Sequence, residues 1–313
     1  LHPNNTVEES FARIRKVGLD KETVYTCYVT KRRVLLGVVT VKRLLMSAYE
    51  TKISEIMETN VLSVTTHEDK EDVAQMFSKY DLTALPVVDG EDRLLGIITV
   101  DDAMDVMEEE ATEDFEKMAA ILPSDKPYLR TGVLETWRAR IPWLMLLMLS
   151  ATFTGLIITG FESALAACVI LTSFIPMLSG TGGNSGSQSS VAVIRALSLG
   201  EVEFSDVLAV MWKELRVALL CGICLGGANF VKMLLVDRLL MNNPDVTVTV
   251  AAVVCLTLML TVVCAKIVGC LLPMAAEKVG IDPAVMAAPF ITTIVDALSL
   301  LIYFSIATRI LGL

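Results

Sequence analysis

The chain has 313 residues, of which 54% are hydrophobic and 20% are charged, and its mean hydropathy is +0.61. This composition excludes an ordinary soluble protein and indicates that part of the chain lies in a lipid bilayer. The net charge of −10 is concentrated in the first 130 residues, which hold 25 of the 36 acidic and 16 of the 26 basic side chains. An acidic soluble part therefore precedes a nearly neutral membrane part, which excludes a nucleic-acid partner and favours cations.

A repeat of about sixty residues organises the soluble part. Leu35–Leu44 returns as Leu94–Ala103, 59 positions later, and each copy reads as a polar turn, a buried strand and a helix. Further helices and strands are predicted at Val7–Val17, Asp69–Tyr80, Val24–Val29 and Ala84–Val88. The repeat therefore predicts two α/β units, of which the first lacks an opening strand.

The second unit resembles a CBS domain in its Leu85–Asp89 strand, its Gly96–Thr99 strand and the Asp101–Asp102 pair that closes it. The first unit reads as its degenerate partner. CBS pairs are regulatory modules on many proteins and often bind adenine nucleotides, so the resemblance alone names no function. It does imply ATP as a ligand, because Thr99 and Asp102 fit the pattern that contacts ribose.

A dense acidic run follows the second unit, with no lysine or arginine inside it. Its members are Asp101, Asp102, Asp105, Glu108, Glu109, Glu110, Glu113, Asp114 and Glu116. On a helix these carboxylates meet at three- and four-residue spacing and repel one another, so a cation is needed to neutralise them. Hard oxygen ligands suit Mg²⁺ or Ca²⁺. The run therefore predicts a divalent metal site, with a solvated acidic helix face as the alternative.

Five membrane spans are predicted in the apolar part. They run approximately over 141–161, 163–197, 217–236, 246–272 and 284–311. Basic residues concentrate in the loops on the side of the soluble part, which places that part in the cytoplasm and the C-terminus opposite. Five spans leave no room for two equal inverted halves, so a two-fold dimer is the simpler architecture. The sequence thus predicts a multi-pass protein of the cell (inner) membrane.

Two spans carry polar groups that a lipid-facing helix does not tolerate. In the second, Asn184 and Gln188 lie one turn apart in a glycine- and serine-rich stretch, which predicts that they line a pore. Helix packing through Gly182 and Gly186 is the alternative. In the fifth, Asp296 lies on a polar stripe with Thr292, Ser299 and Tyr303. An ionised aspartate there costs at least about 3 kcal/mol, so a cation site is predicted, with a structural pair to Lys266 as the alternative.

The whole chain resembles the MgtE family of magnesium channels. The residues that carry this resemblance are the CBS pair, the acidic connecting segment, the Gly182–Gln188 stretch, Asp282–Ala284 and Thr292–Ala297. The resemblance implies an α-helical membrane protein with five transmembrane helices per subunit, preceded by a cytosolic α/β CBS-domain pair, and dimeric. Its domains would be 1–50 and 51–109 (CBS), 110–138 (connecting plug helix and linker) and 139–313 (pore). Family members also carry an acidic N-terminal domain before the CBS pair, which we do not expect within these 313 residues.

The resemblance also implies where cations bind. A homodimer would form its pore on the two-fold axis, between the second and fifth spans. Asp296 would select the ion there, with the backbone near Thr292 and the side chain of Asn184 close by. We also predict that the Gln188 side chain lines the pore. A cytosolic Mg²⁺ sensor that closes the channel would comprise Asp102, Asp105, Glu110, Glu113, Asp114 and Asp282.

Two other functions compete with this one, and neither is an enzyme. A CBS-bearing chloride channel would need cationic or hydroxyl-rich helix ends along its anion path, whereas here a carboxylate lies within a span. A membrane-anchored sensor of nucleotides or divalent cations would bind its ligand and transport nothing. The residue pattern does not separate Mg²⁺ from Mn²⁺, Co²⁺, Ni²⁺ or Ca²⁺ as the transported ion.

Overall fold

The computed structural model describes residues 1–124, 126–286 and 288–312. The chain divides into two compact units, Leu1–Ala111 and Thr112–Leu313. The first is a mixed α/β unit and the second is entirely helical over the residues described.

Two small sheets with flanking helices form the first unit. Its elements are α1 (Val7–Val17), β1 (Thr26–Lys31), β2 (Val34–Thr40), α2 (Val41–Leu45), α3 (Ile53–Ile56), β3 (Val64–Thr65), α4 (Lys70–Tyr80), β4 (Ala84–Val88) and β5 (Leu94–Thr99). β1 and β2 form an antiparallel pair, while β4 pairs in parallel with β3 and antiparallel with β5. The predicted helices at α1 and α4 and the predicted strand at β4 are confirmed.

Each copy of the repeat has its own hydrophobic core. The first core is built from Val7, Val29, Val39, Leu44 and Ile53. The second is built from Val64, Val73, Ala74, Phe77, Leu85 and Ala103. The repeated strand and the helix after it contribute Val39 and Leu44 to the first core, whereas in the second Ala103 lies in the core and Ile98 packs against it. The repeat in the sequence is therefore a repeat of packing units.

The acidic run lies on α5 (Val100–Met118), which begins directly after β5. The segment predicted over 110–138 as a connecting helix and linker thus begins inside this helix, which ends at Met118. Beyond it the chain passes Pro123 and Pro127 before a 3₁₀ turn at Tyr128–Arg130. Proline restricts the residue before it to extended conformations, which prevents the helix from continuing through this segment.

The second unit is a bundle of long helices joined by short turns. They are α6 (Val133–Gly160), α7 (Glu162–Ala167), α8 (Ile175–Ser198), α9 (Val207–Lys232), α10 (Val248–Lys278) and α11 (Ala288–Leu311). Single-turn and π-helical segments lie at Val169–Phe174, Phe204–Asp206, Met233–Leu240 and Pro283–Met286. Helix α10 is central and packs against α8, α9 and α11, whereas α6 packs against α11.

Four helical stretches in the described part of the chain are long and apolar enough to cross a membrane. They are Val133–Gly160, Phe204–Leu240, Val248–Lys278 and Pro283–Leu311. Helix α8 has 24 residues and a length of about 36 Å, which also suffices, but its glycine, serine and amide residues lower its hydropathy. The predicted second span is not one continuous helix, because a 3₁₀ segment at Val169–Phe174 separates α7 from α8.

Candidate cation site

Asp296 lies in the interface between α8 and α11. Its carboxylate accepts a short hydrogen bond from the hydroxyl of Ser179, one turn into α8. One turn earlier on α11, Thr292 packs against Gly183, where an added Cβ would approach the Thr292 methyl to 2.9 Å. A glycine is therefore required at this close approach of α8 to α11. The two helices that carry the predicted pore residues are thus in direct contact.

The polar stripe of α11 is not uniform in its environment. The Thr292 hydroxyl donates to the carbonyl of Pro289 at 2.9 Å, so it is held by its own helix. The Ser299 hydroxyl likewise donates to the Asp296 carbonyl at 2.9 Å. Tyr303 is fully buried and its hydroxyl donates to the Leu171 carbonyl at 3.0 Å. Asp296 is therefore the member of the stripe whose side chain remains available as a ligand.

Asn184 and Gln188 lie together on the exposed face of α8. Pro176 and Gly180 precede them on the same exposed face, at four-residue spacing. The neighbouring serines Ser185, Ser189 and Ser190 are instead buried against the rest of the bundle. Polar side chains at membrane depth require water or another protein surface, because lipid cannot hydrogen-bond them. This face of α8 is thus suited to a water-filled path or to a second subunit.

The alternative pairing of Asp296 with Lys266 is wrong. The Lys266 ammonium lies 3.7 Å from the carboxylate of Glu214 on α9, and it donates to Ser189. Within residues 1–124, 126–286 and 288–312, no lysine or arginine forms an ion pair with Asp296. A carboxylate without a basic partner in an apolar helix is a ligand suited to a cation.

Three of the predicted sensor residues lie in the second unit. Glu113 and Asp282 share the ammonium of Lys117, at 2.6 Å and 2.5 Å. Burial lowers the pKa of Lys117, but hydrogen bonds to Asp282 and Glu113 outweigh it and raise the pKa above its ordinary value. Asp114 accepts from the Ser198 hydroxyl at 3.2 Å, at the end of α8. The last turns of α5 are thereby tied to α8 and to the segment before α11.

The other three predicted sensor residues lie in the first unit. Asp102 accepts from the Thr99 hydroxyl at 2.6 Å and from its amide at 2.9 Å, and these bonds lower the pKa of Asp102. Glu110 pairs with Lys70 at 2.9 Å, and Asp105 is exposed. Over the residues described here, no three acidic, histidine or cysteine side chains lie close enough together to hold a metal. Lys117 and Lys70 thus contact three of the carboxylates that the sequence assigns to Mg²⁺.

Asp102 also borders a cavity of about 300 Å³ in the second copy of the repeat. Its lining is mainly apolar and includes Val64, Val87, Ile98 and Val106. An apolar pocket with a hydroxyl and a carboxylate at its edge suits a flat base attached to a sugar. Asp102 borders this pocket, whereas Thr99 is 4% exposed and bonds to the Asp102 carboxylate, so the nucleotide contact stays a prediction.

Several functional contacts were missed by the sequence reasoning. Ser179 lies three residues before the Gly182–Gln188 stretch and was not singled out, and only its contact with Asp296 identifies it. Lys117 follows Glu113 at four-residue spacing, a signal that could have been read as an ion pair. Glu214 gave no signal, because its partners come from two other helices.

The architecture defines a helical membrane protein that carries a CBS module. A family model described as "Divalent cation transporter", MgtE, matches residues 175–306, and the CBS domain model matches residues 53–109. The chain therefore carries an MgtE domain over residues 175–306 and a CBS domain over residues 53–109.

Similar proteins cover nearly all of the chain. It is 40% identical over 307 residues to the magnesium transporter MgtE of Thermus thermophilus, covering 98% of this chain and 66% of that protein. It is 36% identical over 304 residues to the magnesium transporter MgtE of Bacillus subtilis, covering 97% and 65%. It thus spans slightly less than two thirds of each. The solved cytosolic domain of the Mg²⁺ channel MgtE in complex with ATP shares 42% identity, with a TM-score of 0.33, covering 34% of this chain and 43% of that one.

Proposed function

We propose that this protein conducts Mg²⁺ into the cell as an ion channel or transporter. The observation that carries the proposal is Asp296, a carboxylate without a basic partner among the described residues, which contacts Ser179 on the polar helix α8. Curated relatives at 40% and 36% identity are named magnesium transporters. Mn²⁺, Co²⁺, Ni²⁺ and Ca²⁺ share the preference for oxygen ligands in part, so they are candidate competing ions.

The ion path in this proposal lies between two copies of the chain in the membrane. α8 presents Asn184 and Gln188 on an exposed face, and a two-fold axis beside it would bring two such faces together. Mg²⁺ gives up its water reluctantly and prefers octahedral coordination. A pair of Asp296 carboxylates would therefore attract the hydrated ion, while the Asn184 amide orients a water of its shell. The proposed arrangement has five membrane helices per subunit, with α8 as the pore-lining one and lipid around the bundle.

Regulation by cytosolic Mg²⁺ is the second part of the proposal. The CBS units lie in the cytoplasm and the C-terminus lies on the other side of the membrane. Mg²⁺ held by carboxylates of α5 and Asp282 would favour the closed state, because it removes their repulsion. Glu113 and Asp282 both bind the Lys117 ammonium, which supports the closeness of these carboxylates. The ion would compete with that ammonium and add charge that one lysine does not supply.

ATP is the proposed ligand of the CBS pair. The cavity beside Asp102 supports it, since ribose hydroxyls can bond to that carboxylate. The alternative function is a membrane-anchored sensor that binds nucleotide or divalent cation and transports nothing. Both functions can be examined on one preparation of the protein in liposomes. Mg²⁺ uptake above that of protein-free liposomes supports transport; ATP binding without any divalent uptake would support the sensor and contradict our proposal.

Asn184 provides a test of the path itself. Asn184→Ala should slow Mg²⁺ uptake about tenfold, because a hydrogen bond to a charged or strongly polarised group contributes about 1.5 kcal/mol or more. Uptake of Mg²⁺ and Co²⁺ into proteoliposomes gives the readout. Asn229→Ala is the matched control, since that amide lies on α9 and donates to the sulfurs of Met233 and Cys255. Unchanged rate and selectivity in Asn184→Ala would assign the residue to helix packing.

A further inference from the structure

A buried ion pair bridged by a hydroxyl joins three helices of the second unit. Lys266 of α10 is 4% exposed, and its ammonium lies 3.7 Å from the carboxylate of Glu214 on α9. The Ser189 hydroxyl of α8 donates to Glu214 Oε2 at 2.5 Å and accepts from Lys266 Nζ at 3.2 Å. These residues (Ser189, Glu214, Lys266) form a single polar cluster, which we call the buried triad.

The triad is better explained by a role in positioning α8 than by a contribution to the stability of the fold. A buried ion pair gains little over apolar side chains of the same volume, because both charges lose their hydration. Within a membrane that loss is larger still. The bridging geometry, however, requires α8, α9 and α10 to keep one register, since a hydroxyl can contact both charges only from one place. What the triad fixes is therefore the orientation of α8.

Ser189 lies on the buried side of α8, next to its exposed polar face. Ser189 follows Gln188, whose side chain is on the exposed face, and successive residues of an α-helix are about 100° apart. α8 and α10 meet closely beside it, where a Cβ added at Gly186 would lie 3.0 Å from the Ala265 carbonyl oxygen. Any rotation of α8 that separates Ser189 from Glu214 would therefore turn Gln188 and Asn184 away by the same angle.

We propose that the buried triad holds α8 in the rotation that presents Asn184 and Gln188 to the ion path, and so determines cation selectivity. This inference rests on the proposed function, in which α8 lines the path. The triad residues do not touch the ion. They are positioning residues, and their effect should appear in the choice between cations rather than only in the amount of folded protein.

The test compares Ser189→Ala with Thr257→Val. Thr257 is a fully buried residue on α10 whose hydroxyl donates to the Val253 carbonyl of its own helix at 2.8 Å, so its replacement matches the loss of a buried hydroxyl. Uptake of Mg²⁺ and of Ca²⁺ is measured separately in proteoliposomes. We expect Ser189→Ala to change the Mg²⁺ to Ca²⁺ uptake ratio at least about fivefold, the effect of losing one hydrogen bond, and Thr257→Val to leave it unchanged.

A second variant shows whether a changed uptake ratio results from loss of the triad or from misfolding of one variant. The double substitution K266M/E214Q removes both charges and leaves neither one buried alone, and it should shift the ratio in the same way. A wild-type ratio in both variants, or failure of both to form the wild-type oligomer, would overturn the triad's role in selectivity. The wild-type arm separates the two proposals: no Mg²⁺ uptake by wild-type protein overturns the proposed function itself.

Discussion

Replacing Asp296 with asparagine or alanine should abolish Mg²⁺ uptake while the protein still forms the wild-type oligomer. The carboxylate accepts a hydrogen bond from Ser179, which the asparagine amide oxygen can also accept, so the contact between α8 and α11 is retained in that variant. What disappears is the negative charge in the proposed ion path. The readout is Mg²⁺ uptake into proteoliposomes, together with the elution volume of the purified protein.

The expected loss is large because the ion is divalent and the site lies in an apolar helix. Two unit charges 4 Å apart attract by about 4 kcal/mol at an effective dielectric constant of about 20, nearly a thousandfold in an equilibrium constant. We therefore expect uptake to fall at least about a hundredfold. Asp245→Asn is the matched control, because Asp245 is exposed in the loop before α10. Retained uptake in Asp296→Asn would remove Asp296 from the path.

Neutralising the predicted sensor should uncouple uptake from cytosolic Mg²⁺. The variant replaces Asp105, Glu110, Glu113 and Asp282 together by their amides. If Mg²⁺ closes the path by binding these carboxylates in one state, it loses its preference for that state when they are gone. Uptake in the variant should then be the same with and without Mg²⁺ on the side of the CBS units. Basal uptake can move either way, because the repulsion between the carboxylates is lost as well.

A control of equal charge distinguishes binding from general electrostatics. Four exposed carboxylates elsewhere in the first unit are neutralised in it: Glu22, Glu50, Glu55 and Asp72. This control should keep the Mg²⁺ response, since screening of scattered surface charges joins no two elements. If the sensor variant responds to Mg²⁺ as the wild type does, the acidic run of α5 is a solvated helix face.

Local patterns in the sequence predicted the elements whose apolar residues repeat regularly. α1, α4 and β4 fall where periodicity and turn residues placed them, and the repeat predicted two separate packing units. The predicted ends of helices and segments were less accurate where the spacing of apolar residues does not mark them. The connecting segment was predicted over 110–138, but the helix that carries the acidic run begins at Val100, directly after β5. The break before α8 was missed because that stretch is as apolar as a helix interior.

The candidate site divides in the same way. Asp296, Asn184 and Gln188 could be proposed from the sequence because polar residues in apolar spans stand out. The partner of Asp296 and the contacts of the other polar clusters could not be predicted, since they join residues far apart in the chain: Ser179 is 117 residues from Asp296. Lys117 is 165 residues from Asp282, and Lys266 is 77 residues from Ser189. Such pairs leave no periodic signal, and their existence depends on how the helices pack.

Mg²⁺ uptake by wild-type protein in proteoliposomes, with and without Mg²⁺ on the side of the CBS units, tests the central claim most directly. We predict rapid uptake when that side is free of Mg²⁺ and at least about tenfold slower uptake when Mg²⁺ there saturates the sensor, which corresponds to a shift of about 1.4 kcal/mol between two states. Equal uptake in both conditions would contradict regulation by Mg²⁺. No uptake above protein-free liposomes in either condition would contradict transport.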